Sequence, residues 1–178
     1  LESVTTGLMT RLGIDQRMNA EGLIEEGFNL ATNDTLIRID IAAMTGRHVM
    51  VYGQTELTRD LMDAAPGRGL GIIYEAEDVA LHDVDGDAPF VTFTCNGEAQ
   101  RIDASFIAGC DGFHGPSRKA IPAAVAREYE REYPFGWLGI LADVPPCHDE
   151  LIYANGARGF ALASMRSKTR SRYYIQVP

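Results

Sequence analysis

The chain has 178 residues, 46% of them apolar, and a formal net charge of −9, which suits one domain or slightly more with a real core and excludes a general nucleic-acid binder, because phosphate backbones are held by basic surfaces. No run approaches the roughly 20 apolar residues of a membrane helix, so no membrane partner is expected. Leu1-Glu2-Ser3-Val4 offers neither an initiator Met nor a charged-then-apolar leader, so the chain is expected to begin inside a longer protein. Cys95, Cys110 and Cys147 are odd in number and form no C-x-x-C pair; neither a disulfide framework nor a metal site is indicated, and a reducing cytoplasm is the expected compartment.

Leu8, Met9 and Leu12 recur at helical spacing, with Gly13 as the stop. Residues 23–31 and 36–41 have strand-like content, with Thr32-Asn33-Asp34 as a hairpin turn between them. Val49-Met50-Val51-Tyr52-Gly53 is a further strand leading into a helix that carries Leu57, Leu61 and Met62, with Asp60 and Asp63 expected to face outward and Pro66-Gly67 expected to stop it. Short strands at 72–74, 79–81, 90–94 and 100–102 form an antiparallel meander, with Asn96-Gly97 as a type I′ turn. Gly67-x-Gly69-x-Gly71 follows a helix instead of leaving a strand, which is the wrong context for a nucleotide loop.

The apolar run Phe106-Ile107-Ala108 predicts a strand that enters the loop Gly109-Cys110-Asp111-Gly112-Phe113-His114-Gly115-Pro116-Ser117-Arg118. Its three glycines permit close approach of backbone to a ligand, Pro116-Ser117 can open a short helix that attracts phosphate, and Asp111 can accept from a ribose. This pattern reads either as a cofactor loop or as an ordinary tight turn. A second lobe is expected from about residue 126. It contains a buried strand at 137–141 and strands at 152–154, 160–166 and 172–177, the last two joined through Ser167-Lys168-Thr169. Period-two alternation puts Ser164 with Arg166 on one face and Arg172 with Tyr174 on one face, so the four can converge. Residues 158–172 carry Arg158, Arg166, Lys168, Arg170 and Arg172 and no acid, which describes either a solvated hairpin face or an anion site.

Taken together, Val51-Tyr52-Gly53-Gln54-Thr55-Glu56, the loop at 109–118, Tyr133-Pro134-Phe135-Gly136-Trp137-Leu138-Gly139, Leu151-Ile152-Tyr153-Ala154-Asn155 and Ser171-Arg172-Tyr173-Tyr174 resemble the flavoprotein aromatic hydroxylases, over nearly the whole chain. The resemblance implies an α/β and α+β architecture: residues 1–125 as the central part of a Rossmann-like FAD-binding domain and 126–178 as the start of a substrate domain built on a mixed, largely antiparallel sheet. It implies FAD-dependent ortho-hydroxylation of a carboxylated phenol, 4-hydroxybenzoate, to 3,4-dihydroxybenzoate, with O2 and with NADPH, or alternatively NADH, as reductant. Ser164, Arg166 and Tyr174 match the residues that hold the substrate carboxylate, a role suited to a planar guanidinium and two hydroxyls. Tyr153 matches the catalytic tyrosine that pairs with the substrate phenol. Gln54, Asp111 and Arg172 match FAD contacts, His114 and Arg118 match residues used for NADPH, and a homodimer is compatible with the resemblance.

Two departures from the family pattern qualify these expectations. A G-x-G-x-x-G unit would precede Leu1 and a Gly-Asp loop would follow Pro178, so the segment alone is not expected to bind FAD tightly or turn over. Glu25 stands where the family pattern has a histidine that ends a proton relay, and it is either the relay's outer carboxylate or one of two adjacent solvated acids with Glu26. The alternatives to this reading are a hydroxylase of another carboxylated phenol and a non-catalytic binding module.

Overall fold

A computed structural model describes residues 1–178. Two compact units divide the chain: one takes Leu1–Leu70 together with Glu132–Pro178, the other Gly71–Arg131.

The first unit opens with α1 (Ser3–Leu12). Gly13 ends it in the left-handed conformation, where the missing Cβ costs no strain, and its N–H returns to the Met9 and Thr10 carbonyls. A short α2 (Gln16–Glu21) follows; six residues are too few to show a helical period, and it stands because Met18 is buried with Met9, Met50 and Tyr52 in a small core. Then come β1 (Leu23–Glu25), β2 (Gly27–Thr32), β3 (Thr35–Asp40), α3 (Ile41–Thr45), β4 (Val49–Val51) and α4 (Gln54–Ala64). The β2–β3 turn has positive φ at both Asn33 and Asp34, the type I′ geometry that matches strand twist. Asp40 caps α3 by accepting from the Ala43 amide at 2.8 Å.

β1 and β4 pair in a small antiparallel sheet, and the larger sheet of this unit contains six strands in the order β3-β2-β9-β10-β11-β8, with β8 (Gly136–Ala142), β9 (Leu151–Gly156), β10 (Gly159–Ser167) and β11 (Arg170–Val177). Every pairing is antiparallel except β2 with β9. Strands from both sides of residue 126 therefore share one sheet, and the compact units are not the two consecutive stretches that a boundary there would produce. β8 is an edge strand, not the buried strand expected from its apolar run: Trp137, Leu138 and Leu141 are all about half exposed or more.

The second unit is the meander β5 (Glu77–His82), β6 (Phe90–Cys95) and β7 (Glu98–Asp103), turned at Asn96-Gly97 with positive φ at both. Two expected strands do not form. Residues 72–74 and 106–108 lie in irregular segments, because a three-residue apolar run has no ladder to join when no strand edge faces it; Phe106 is almost fully exposed. The loop after Ala108 therefore leaves irregular backbone, not a strand, and Pro116-Ser117 opens only a 3₁₀ turn over 117–120.

Candidate active site

Residues in register on neighbouring strands point to the same face of a sheet. One such row crosses all six strands: Ile37, Leu30, Tyr153, Leu162, Tyr174, Gly139. Two positions along β10 and β11, Ser164 lies opposite Arg172, on the same face again. The sheet thus brings Tyr153, Ser164, Arg172 and Tyr174 to one surface. Arg172 Nε donates to Ser164 Oγ at 3.2 Å, and its guanidinium carbon stands 5.2 Å from the centre of the Tyr174 ring, within cation–π range.

Arg166 departs from the expected alternation. The β10–β11 register shifts between Met165 and Ser167, so Arg166 is the extra residue of a bulge with no partner on β11; a bulge re-aims a side chain out of the pleat. Its guanidinium turns toward the residue that caps α4: a Cβ built on Gly53 would lie 3.2 Å from Arg166 Nη2. Arg166 is partly buried and, like Arg172, makes no ion pair, whereas Arg17, Arg38, Arg59, Arg101 and Arg170 hold carboxylates. An unpaired guanidinium beside a helix start, in a chain with an excess of acids, leaves a charge for an anion to satisfy.

The Tyr153 ring is fixed by neighbours, meeting Phe28 edge-on at 5.6 Å and Phe160 at 6.1 Å. From Phe160 the contacts continue through Trp137 and Phe135 to Tyr133. Such contacts hold a phenol ring in one orientation while its hydroxyl remains available.

Glu25 is buried, and its Oε1 has no hydrogen-bond partner. It therefore does not belong to a solvated pair with Glu26. Burial holds its carboxyl above the ordinary carboxylate range, with the nearby Glu150 charge acting in the same direction. Glu150 is itself held low by Arg38, which donates Nε and Nη2 to its two oxygens at 2.7 and 2.6 Å. A raised native value means that Glu25 binds its proton more firmly in the folded chain. The associated stability is fully present below the unfolded value of about 4.3 and is lost as pH rises through the elevated native value. Glu25→Gln mimics the protonated form, so its melting temperature should exceed that of the parent at pH about 8 and converge with it only toward pH about 4. An equal gap at both pH values in a thermal melt series would show that Glu25 does not titrate in the interior.

A second buried acid was not legible in the sequence. Asp60 points inward, not outward: Oδ2 accepts from the buried Tyr52 hydroxyl at 2.7 Å, and Oδ1 pairs with Arg17 at 2.5 Å, while Arg17 also reaches Glu56 at 2.5 Å. Desolvation and the Asp60 carboxylate push the Tyr52 hydroxyl up to about 12. The network ties α2, the end of β4 and the first turns of α4 together, and so fixes Gly53 and Gln54 at the start of that helix. Its members lie far apart in sequence, and no local pattern announces them.

Gln54 is exposed and lines a cleft of about 490 Å³ with Thr55, Thr58 and Arg59. In the second unit, Asp111 Oδ2 accepts from the Ser117 amide at 2.8 Å, and this bond, with that from the Ser117 side chain, lowers the Asp111 carboxyl. A Cβ on Gly115 would fall 2.0 Å from Asp111 Cγ, and one on Gly109 2.5 Å from Ser117 Cβ; these two glycines are what let the loop close around its own aspartate. His114 meets Phe113 edge-on at 5.0 Å, and Arg118 stands over the same ring at 5.2 Å. The loop presents glycine backbone, the Asp111 carboxylate and two basic side chains, acceptors and donors of the kinds a dinucleotide can engage.

The chain belongs to the FAD binding domain family, whose model matches residues 1–178. The p-hydroxybenzoate hydroxylase of Acinetobacter baylyi (strain ATCC 33305 / BD413 / ADP1) is 52% identical to it over 179 residues, an alignment covering 100% of this chain and 44% of that protein, so the chain spans a little under half the relative's length. Among solved structures, the flavin-dependent halogenase CmlS superposes with a TM-score of 0.81 at 19% identity, covering 99% of this chain and 34% of that one. The p-nitrophenol 4-monooxygenase PnpA from Pseudomonas putida DLL-E4 superposes with a TM-score of 0.71 at 11% identity, over 98% and 47%. At those identities the likeness shows the fold: the mixed α/β architecture expected from the sequence is one that these two enzymes share.

Proposed function

We propose that the chain carries the substrate face and part of the flavin contacts of an FAD-dependent monooxygenase that hydroxylates 4-hydroxybenzoate ortho to its hydroxyl, giving 3,4-dihydroxybenzoate, with O2 and NADPH as co-substrates. The observation that carries the reading is the row Tyr153–Leu162–Tyr174, in a chain half identical to a p-hydroxybenzoate hydroxylase. Two strand spacings, about 9.6 Å, separate the tyrosines. Leu162 between them offers an apolar floor for a para-substituted ring whose two polar ends meet one tyrosine each.

At the carboxylate end, Arg166 supplies the charge and Tyr174 a hydroxyl. Ser164 Oγ already accepts from Arg172, which leaves its own O–H free to donate to an anion. At the other end, the Tyr153 hydroxyl pairs with the substrate phenol and helps draw off its proton, which makes the ring carbon ortho to it more nucleophilic. Glu25, buried and with an unpartnered oxygen, is the candidate acceptor at the outer end of that proton path, so the Glu25→Gln variant should also slow substrate deprotonation. FAD supplies the activation of O2. In the first unit Gln54 and Arg172 are the residues that the resemblance assigns to FAD; in the second it assigns Asp111 to FAD and His114 and Arg118 to the reductant.

The test is substrate-stimulated NADPH oxidation by the full-length enzyme with a panel of hydroxybenzoates and product analysis. Stimulation and hydroxylation with 4-hydroxybenzoate are expected. Preference for another carboxylated phenol would reassign the substrate, and failure to bind FAD or any phenol would point to a non-catalytic module. Tyr153→Phe keeps the ring contacts and removes the hydroxyl. NADPH oxidation should persist, while hydroxylated product falls by about 10²-fold or more, the magnitude associated with positioned proton transfer, and hydrogen peroxide accumulates instead. Full coupling in this variant would reduce Tyr153 to a packing residue.

A further inference from the structure

The cross-strand row ends on a glycine. Gly139 lies on the edge strand β8, directly opposite Tyr174, and a Cβ added to it would stand 3.1 Å from Tyr174 Cε1 and 3.5 Å from Cδ1. The Tyr174 ring therefore covers the Gly139 backbone, filling the space where any other residue would carry a side chain, a cross-strand arrangement in which an aromatic shields a glycine. Gly139 does not adopt the left-handed conformation, so backbone geometry does not demand glycine there; an alanine would ordinarily be the better strand residue. What crowds a side chain at this position is the ring, which would have to give by a few tenths of an ångström to admit a Cβ. The Arg172 guanidinium lies 5.2 Å from the centre of the same ring, and Arg172 in turn donates to Ser164 Oγ.

We infer that Gly139 is a positioning residue that sets substrate selectivity: by admitting the Tyr174 ring onto β8 it places the Tyr174 hydroxyl, and through Arg172 the Ser164 hydroxyl, where both meet the carboxylate of an aromatic acid. This rests on the reading of Tyr174 and Ser164 as carboxylate contacts. A methyl at position 139 has two outlets. It either displaces the ring by a few tenths of an ångström or turns it, and each moves a hydroxyl whose hydrogen bond tolerates little change in distance or angle. Arg166, held at the bulge and beside Gly53, is not in this chain of contacts, so the charge of the site stays in place while its orienting hydroxyls move.

The experiment is a double-mutant cycle in the full-length enzyme, with Gly139→Ala, Tyr174→Ala and the pair together, and Tyr174→Phe as a separate control. Dissociation constants for 4-hydroxybenzoate and for 4-methylphenol, which lacks the carboxylate, are read from flavin fluorescence. Gly139→Ala is expected to weaken 4-hydroxybenzoate binding about tenfold, the order of effect of a small misplacement, with 4-methylphenol binding and FAD content unchanged. In the Tyr174→Ala background the same substitution should change 4-hydroxybenzoate affinity less than about twofold and raise the melting temperature, since alanine then improves an unobstructed strand. An equal loss in both backgrounds, or an equal loss for both ligands, overturns the inference. If Gly139→Ala does not fold, recovery of folding in the pair with Tyr174→Ala upholds the contact, and its failure overturns it. Should Tyr174→Phe leave 4-hydroxybenzoate affinity untouched, the carboxylate reading itself falls; should Tyr174→Phe weaken binding while Gly139→Ala does not, the positioning role alone falls.

Discussion

Arg166→Lys is expected to weaken 4-hydroxybenzoate binding by about 2 kcal/mol or more, the lower end of what losing one partner of a sheltered charge pair costs, while FAD content stays constant. Lysine keeps the charge but replaces a planar fork with a point donor. The loss should be large here because Arg166 has no carboxylate of the chain to hold it: its position comes from the bulge in β10 and from the space over Gly53, and a lysine has neither the length nor the shape to fill that space in the same way. A titration of flavin fluorescence measures it. Unchanged affinity would place Arg166 outside the carboxylate site. A loss shared equally by 4-methylphenol would make its role steric instead of electrostatic.

Asp60→Ala should destabilise the first unit by about 2–4 kcal/mol, because it removes the acceptor of a buried hydroxyl and the deepest partner of Arg17 at once. Tyr52 is nearly fully buried and has no other acceptor for its hydroxyl, so its desolvation would go uncompensated. Arg17 keeps Glu56 and Glu21 at its exposed side and contributes little to the loss. Asp60→Asn retains an oxygen for Tyr52 and should cost visibly less. Urea unfolding with the same slope and a lower midpoint is the expected result; a shift below about 0.5 kcal/mol, typical of surface substitutions, would mean that water replaces the carboxylate. Since the network fixes the start of α4, Asp60→Ala should also loosen Gly53 and Gln54, seen as faster amide exchange in that turn.

The elements that the sequence alone identifies are those decided by steric rules acting over a few residues. Asn33-Asp34 and Asn96-Gly97 take positive φ because few other residues can, and Gly13 ends α1 for the same reason. Alternation along 160–166 and 172–177 puts Ser164, Arg172 and Tyr174 on one face, since a strand has a period of two whatever it pairs with. The resemblance attaches chemistry to those positions, and the FAD binding it implies agrees with the FAD binding domain family to which the chain belongs.

Other features depend on partners that are distant in sequence. The parallel pairing of β2 with β9 carries Phe28 to Tyr153 and merges what reads as two successive lobes into one sheet; a ladder can form only where two edges meet in space. Asp60 sits among outward-looking positions of an amphipathic pattern, yet Tyr52 and Arg17 make the inside favourable for it, and Glu25 is buried although its neighbour is another acid. The bulge that turns Arg166 out of alternation is a mismatch of one residue between two strands, invisible in either strand alone. Turns and alternation follow from the geometry of the residue itself, and so the chain fixes them locally. Desolvation, register and the space over Gly139 follow from the positions of atoms that only the folded chain brings together.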